Sequence, residues 1–256
     1  MATLSEYANK YPFLKMERQD GILEVTFHDN GGPLVVTDAL HATLGYAWND
    51  IGSDRDNKVI ILTGTGDVFC TSTRGSDPTA FTTPDGLSRG SRDGRNMFAN
   101  LFDIEAPVIA AVNGPAHVHG DLMVVNDIVL AAEHATFQDF HMAAHMVIGG
   151  IAQVIWQEIL GVVRGKYFLL TGQVLTAQQA LDYGVVNEVL PKEQLLPRAR
   201  ELARAMIKQP PLTLRHTRLA LNQRFRQRFL EEGGYGYTLI GLGLMDQVSQ
   251  AQAEPA

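Results

Sequence analysis

Cysteine is almost absent. Cys70 is the only one in 256 residues, which excludes an intramolecular disulfide and a cysteine-based zinc site. Long apolar runs are missing as well, so no segment reads as a membrane span and no membrane partner is expected. The segment Met1–Asp20 lacks the basic-then-apolar layout of a secretion signal, and a cytoplasmic location is the expectation. Positive charge is scarce: 21 Lys and Arg stand against 28 Asp and Glu, a net charge of -7 that argues against nucleic acid as a partner. What remains is ordinary for a globular protein, 45% apolar and 19% charged, which argues against disorder. The length permits one large core or two modest ones.

Short β-branched runs occur at Gly21–His28, Val59–Thr63, Val108–Asn113, Ile128–Ala131 and Val185–Val189. Several are apolar throughout, the pattern of strands covered on both faces. Between them lie helical stretches, the clearest starting after Thr37 and placing Leu40, Leu44, Ala47, Trp48 and Ile51 on one stripe. Strands alternating with helices predict a parallel sheet with right-handed crossovers. From Lys192 onward the pattern is helical only, with a break at Pro210–Pro211. The expected division is an α/β core over residues 1–191 and a C-terminal helical region over 192–256.

Glycines flank two strand ends, Gly64, Gly66 and Gly75 at one and Gly114 and Gly120 at the other. Neither set has phosphate-loop or dinucleotide-binding spacing. Tight turns account for them; so does a need to aim backbone N–H groups at a ligand. Five of the eight histidines (His117, His119, His134, His141 and His145) fall within one short stretch. Histidine exchanges protons near neutral pH, and on a helix His141 and His145 would share a face at i, i+4. A metal set drawn from His117, His119, His141 and His145 has no supporting pattern around it, and no metal or cofactor is expected. Cys70 reads as a buried, inert thiol. The basic run Arg215–Arg228 reads as the solvated face of a helix with Leu214, Leu221, Phe225 and Phe229 inside; a grip on phosphate is the alternative.

Several blocks carry a family resemblance: VIILTGTGDVFC (Val59–Cys70), PVIAAVNGP (Pro107–Pro115), DIVLAAEHATF (Asp127–Phe137), FLLTGQVLTAQQALDYGVVNEV (Phe168–Val189) and LLPRARELARA (Leu195–Ala205). In this order they resemble the crotonase, or enoyl-CoA hydratase/isomerase, superfamily. The resemblance implies an α/β spiral of ββα turns with a C-terminal helical region used for trimerisation, and hence a homotrimer or hexamer. It also implies an oxyanion hole of two backbone N–H groups, which fall at Thr71 and His119.

The departures from the family pattern carry the functional expectation. Where a typical hydratase has two glutamates, this chain has Leu122 and His141. Leucine transfers no proton, so water addition by a carboxylate pair is not expected. Histidines at positions 119 and 141 resemble the branch of β-diketone hydrolases similar to 6-oxocamphor hydrolase, as do TFQD (Thr136–Asp139) and RGKYFLLTGQ (Arg164–Gln173). That branch would place an aspartate at Gly150, a tryptophan at Val36 and a glutamate near Ile240. Asp139 or His145 is the available substitute for the missing aspartate. The expected reaction is retro-Claisen hydrolysis of a small, apolar, cyclic 1,3-diketone. In it His141 activates water, Thr71 and His119 hold the oxyanion, and His119 or His145 reprotonates the enolate carbon. Val36, Leu122, Met142 and Trp156 are expected to line the substrate pocket. The alternatives are a CoA-thioester hydratase, isomerase or hydrolase, and a catalytically silent scaffold on the same fold.

Overall fold

The computed structural model describes residues 2–75 and 83–253. In chain order the elements are α1 (Leu4–Tyr7), β1 (Leu14–Gln19), β2 (Ile22–Phe27), β3 (Leu34–Val36), α2 (Asp38–Ser53), β4 (Val59–Gly64), β5 (Cys70–Thr73), α3 (Pro84–Asp103), β6 (Val108–Val112), α4 (Asp121–Val124), β7 (Ile128–Ala132), β8 (Thr136–Phe137), α5 (Ala152–Leu160), α6 (Val162–Thr171), β9 (Leu175–Thr176), α7 (Ala177–Asp182), β10 (Glu188–Leu190), α8 (Lys192–Met206) and α9 (Pro211–Ala253). No helix among the described residues is long and apolar enough to cross a membrane.

Six strands form the main sheet in the order β1-β2-β4-β6-β7-β10. β1 and β2 pair antiparallel, and every later pairing in that sheet is parallel. Alternation explains the continuously apolar strands. In β4, Ile60 and Leu62 enter the larger core, while Val59 and Ile61 face the opposite side, where Leu195, Ala199 and Ala203 of α8 cover them. A smaller layer stands beside the main sheet, with β3 parallel to β5 and β8 antiparallel to β9. Ala116 bridges it, pairing with both Cys70 and Phe137.

Three expectations need correction. The last strand is Glu188–Leu190, because Val185 and Val186 are buried at a turn that follows Gly184. Residues 141–145 form turns rather than a helix, with the Met146 N–H donating to the His141 carbonyl and His145 at φ +56°. The basic run is not a uniformly solvated face: Arg215 and Arg218 are buried, whereas Leu221 is 73% exposed. Arg218 donates to the carbonyls of Leu101, Phe102 and Ile104, which the end of α3 leaves without partners in its own helix, and to the Asp127 carboxylate. Arg215 donates to the carbonyls of Arg55 and Asn57.

Candidate active site

Local chain chemistry delivers three histidines to one region. Thr37 caps α2, its hydroxyl accepting from the Leu40 N–H at 3.2 Å, and this fixes His41 in the first turn. β6 ends in a loop that places His119 immediately before α4, at the left-handed φ of +50°. Such a conformation is rare for a residue with a side chain and concentrates at functional sites. The loop after β8 carries Asp139 and His141.

His41 and His119 meet with their Nε2 atoms 2.7 Å apart. The Nδ1 of His119 lies 3.4 Å from a carboxylate oxygen of the mostly buried Asp121. A carboxylate facing Nδ1 favours the proton there, which leaves His119 Nε2 as acceptor and His41 Nε2–H as donor. Burial, reinforced by neighbouring His119, pulls the pKa of His41 down to about 3, so its imidazole is neutral at ordinary pH. The result is a chain of carboxylate, imidazole and imidazole.

His141 forms the second couple. Its Nδ1 lies 2.8 Å from Asp139 Oδ1, and the same oxygen accepts the His141 backbone N–H at 3.1 Å. Burial pulls the His141 pKa down, but the hydrogen bond and charge of Asp139, with Asp121 adding to them, outweigh it and leave the pKa raised. The charge of Asp121 is felt at His41 as well as at His141, so the two couples share one electrostatic neighbourhood. Asp139, one of the two substitutes considered from the sequence, is thus the residue that partners His141. His145 is not brought to this cluster: its side chain is exposed, and its carbonyl accepts from Gln247.

The remaining expected residues divide. Thr71 is skipped by the β3–β5 ladder, which passes from Leu34 opposite Cys70 to Val35 opposite Ser72. A bulge of this kind frees a backbone group from the ladder and recurs beside active sites. Among the described residues the His119 N–H donates no hydrogen bond. Val36 and Leu122 are buried and Met142 is 40% exposed. Trp156 is fully buried against Phe168, ring centres 4.5 Å apart. Burial raises the Cys70 thiol to about 11, as an inert thiol requires. His117 is tied to the Thr136 hydroxyl at 2.8 Å. No group of three or more metal-ligating side chains is arranged to hold an ion among the described residues.

Two open concavities, about 580 and 660 Å³, lie elsewhere, around Glu17, Glu24, Arg200 and Arg204 and around Val162, Arg164 and Tyr183. Volume alone does not make a site; convergent titratable groups do, and these are at the histidines. The sequence reading missed His41 and Asp121. His41 directly follows the buried Leu40 and so borders the apolar stripe of α2, and Asp121 stands two residues after His119; both signals were present.

The sequence profile of the enoyl-CoA hydratase/isomerase family matches residues 17–235. Carnitinyl-CoA dehydratase from Salmonella arizonae is 31% identical over 238 residues, covering 89% of this chain and 86% of its own. A β-diketone hydrolase from the cyanobacterium Anabaena sp. PCC 7120, solved bound to (S)-3-oxocyclohexyl acetic acid, superposes with a TM-score of 0.92 at 44% identity, covering 95% of this chain and 98% of its own. An enoyl-CoA hydratase/isomerase from Mycobacterium paratuberculosis shares the fold at a TM-score of 0.83 and 24% identity, over 91% and 94% of the two chains. With its mixed α/β core and C-terminal helices, the chain therefore belongs to the crotonase superfamily, in the enoyl-CoA hydratase/isomerase family.

Proposed function

We propose that the protein is a cytoplasmic hydrolase that cleaves a carbon–carbon bond of a small, apolar 1,3-diketone. The observation that carries this reading is the constellation itself: the Asp139–His141 couple beside the Asp121–His119–His41 chain, with leucine at position 122 where a hydratase needs a carboxylate. The Anabaena diketone hydrolase, at 44% identity, supports it.

In the proposed reaction His141 takes a proton from water, which attacks one carbonyl carbon. The Thr71 and His119 N–H groups hold the resulting oxyanion. The bond between that carbon and the carbon flanked by both carbonyls breaks, its electron pair passing into an enolate. The imidazolium of His141 returns that proton to carbon. The sum is diketone plus water giving a keto acid. Asp139 holds the Nδ1 proton of His141, so that Nε2 is the basic atom. The protonating role expected of His119 or His145 passes to His141, because His145 stands outside the cluster and His119 gains no proton in this sequence of steps.

The identity with carnitinyl-CoA dehydratases favours a second reading, hydration or dehydration of a CoA thioester with histidine as acid and base. Incubation with bicyclic 1,3-diketones and with enoyl-CoA thioesters, read by mass, separates the two. A diketone that gains the mass of water supports the first reading. Turnover of thioesters alone replaces it with the second, and inertness to both would leave a silent scaffold.

A further inference from the structure

The sequence reading left one space unexplained, the region around Gly150. Tyr237, on the glycine-rich stretch of α9, fills it. Its hydroxyl oxygen lies 2.2 Å from where a Cβ on Gly94 of α3 would stand, and 3.4 Å from where a Cβ on Gly150 would stand. Any side chain at position 94 would therefore displace the phenol, and one at position 150 would press on its ring. Tyr237 thus occupies a slot that two glycines keep open, between α3 and the turn before α5. Among the described residues the hydroxyl has no hydrogen-bond partner, although the ring is closely surrounded. Burial raises its pKa above the ordinary phenol value, with the charge of Asp121 adding to the shift. The phenol is therefore a neutral donor at physiological pH, and it shares Asp121 as a neighbour with His41 and His141.

The chemistry of a 1,3-diketone says what such a donor is for. Two carbonyl oxygens carry negative charge at different moments. The first becomes the tetrahedral oxyanion when water adds; the second becomes the enolate oxygen when the carbon–carbon bond breaks. One pair of backbone N–H groups serves only one of them. We propose that the Tyr237 hydroxyl is a catalytic group that hydrogen-bonds the second carbonyl oxygen and stabilises it as the enolate forms. This inference rests on the diketone reading above and adds the subsite that reads the second carbonyl. The phenol keeps its own proton throughout; the electron pair of the broken bond enters the enolate, and the proton that reaches carbon comes from an imidazolium. A substrate with a single carbonyl would leave Tyr237 unmatched, so the same contact selects for dicarbonyl compounds.

The test uses Tyr237→Phe, which removes the hydroxyl and keeps the ring, assayed beside wild type on bicyclic 1,3-diketones, with melting temperature measured on both. A donor that acts mainly in the transition state should cost about 100-fold in kcat, as loss of one oxyanion donor does. KM should change by no more than about threefold. Gly94→Ala, whose methyl would displace the phenol, should reproduce the loss of kcat and covers the case in which Tyr237→Phe folds poorly. If wild type hydrolyses diketones and a folded Tyr237→Phe keeps kcat within about threefold, Tyr237 is not a catalytic group and the diketone reading stands. If wild type leaves every diketone untouched, the diketone reading itself falls, and this inference with it.

Discussion

His41 and His119 face each other through their Nε2 atoms at 2.7 Å, and only one proton fits between them. Asp121 stands behind His119 at Nδ1, while burial keeps His41 neutral. A second proton between the two nitrogens would leave two N–H donors pointing at each other with no acceptor.

This geometry gives a stability prediction with a definite sign. The folded pKa of His41 is about 3, well below the unfolded value of about 6.5. Between these values the unfolded chain binds a proton that the folded chain refuses. The stabilisation is therefore complete above pH 6.5 and is lost as pH falls toward 3, with a limiting slope of about 1.4 kcal/mol per pH unit. The raised pKa of His141 acts in the opposite sense, so the comparison must be differential. His41→Asn should lose less melting temperature than wild type between pH 6.5 and 4 in scanning calorimetry. Parallel curves would show that His41 is not the group held neutral.

A second prediction concerns the base. His141→Ala should lower kcat on the diketone substrate by about 100-fold or more while the protein stays folded. Asp139 raises the pKa of His141, so Asp139→Asn should lower it and move the acid limb of the kcat/KM profile to lower pH. The plateau should fall too, because the Nδ1 proton loses its charged acceptor. An acid limb that stays in place in Asp139→Asn would show that a group other than His141 titrates there.

Assembly provides a third. α6 exposes Val162, Val163, Tyr167 and Leu170, with Val163 at 86%, and α9 exposes Leu212, Leu221, Leu230 and Leu242. An apolar surface of this extent is uncommon on a monomer. A trimer or hexamer would cover it, and light scattering should then return three or six times the chain mass of 28.1 kDa. A mass of one chain at micromolar concentration would contradict this.

How far the sequence could be read differs between fold and site. Strands covered on both faces announce themselves as apolar runs, and all five expected runs overlap a strand of the main sheet, among them Val59–Gly64 and Ile128–Ala132. The site depends instead on residues far apart in the chain. The contact between His41 and His119 spans 78 positions, and no spacing rule reports it. The turn at 141–145 separates His145 from His141, because His145 takes a positive φ that helical periodicity does not foresee. Arg218 looked like surface charge; only the packing of α9 against α3 shows that it satisfies helix-end carbonyls.

The last prediction concerns Gly150, where the family branch would place an acid. From the sequence alone, Gly150→Asp could strengthen a histidine and speed hydrolysis, or it could damage the fold. The geometry favours the second outcome. Gly150 has φ +67°, a conformation that costs a residue with a side chain about 1–3 kcal/mol. Its Cβ would meet the Tyr237 ring at 3.3 Å, so that ring must yield. The gain is also missing, since His141 already has Asp139 and His119 already has Asp121. For a chain of this size such a cost lowers the melting temperature by about 2–10 °C. Gly150→Asp should therefore melt earlier than wild type and hydrolyse diketone more slowly, because a displaced Tyr237 no longer meets the second carbonyl. Gly150→Ala, with the same backbone demand and no charge, should share the loss of melting temperature. Suppose instead that Gly150→Asp melts with wild type and turns over diketone faster. A carboxylate at position 150 would then reach a histidine that needed one, and Asp121 and Asp139 would not be the partners that make this site work.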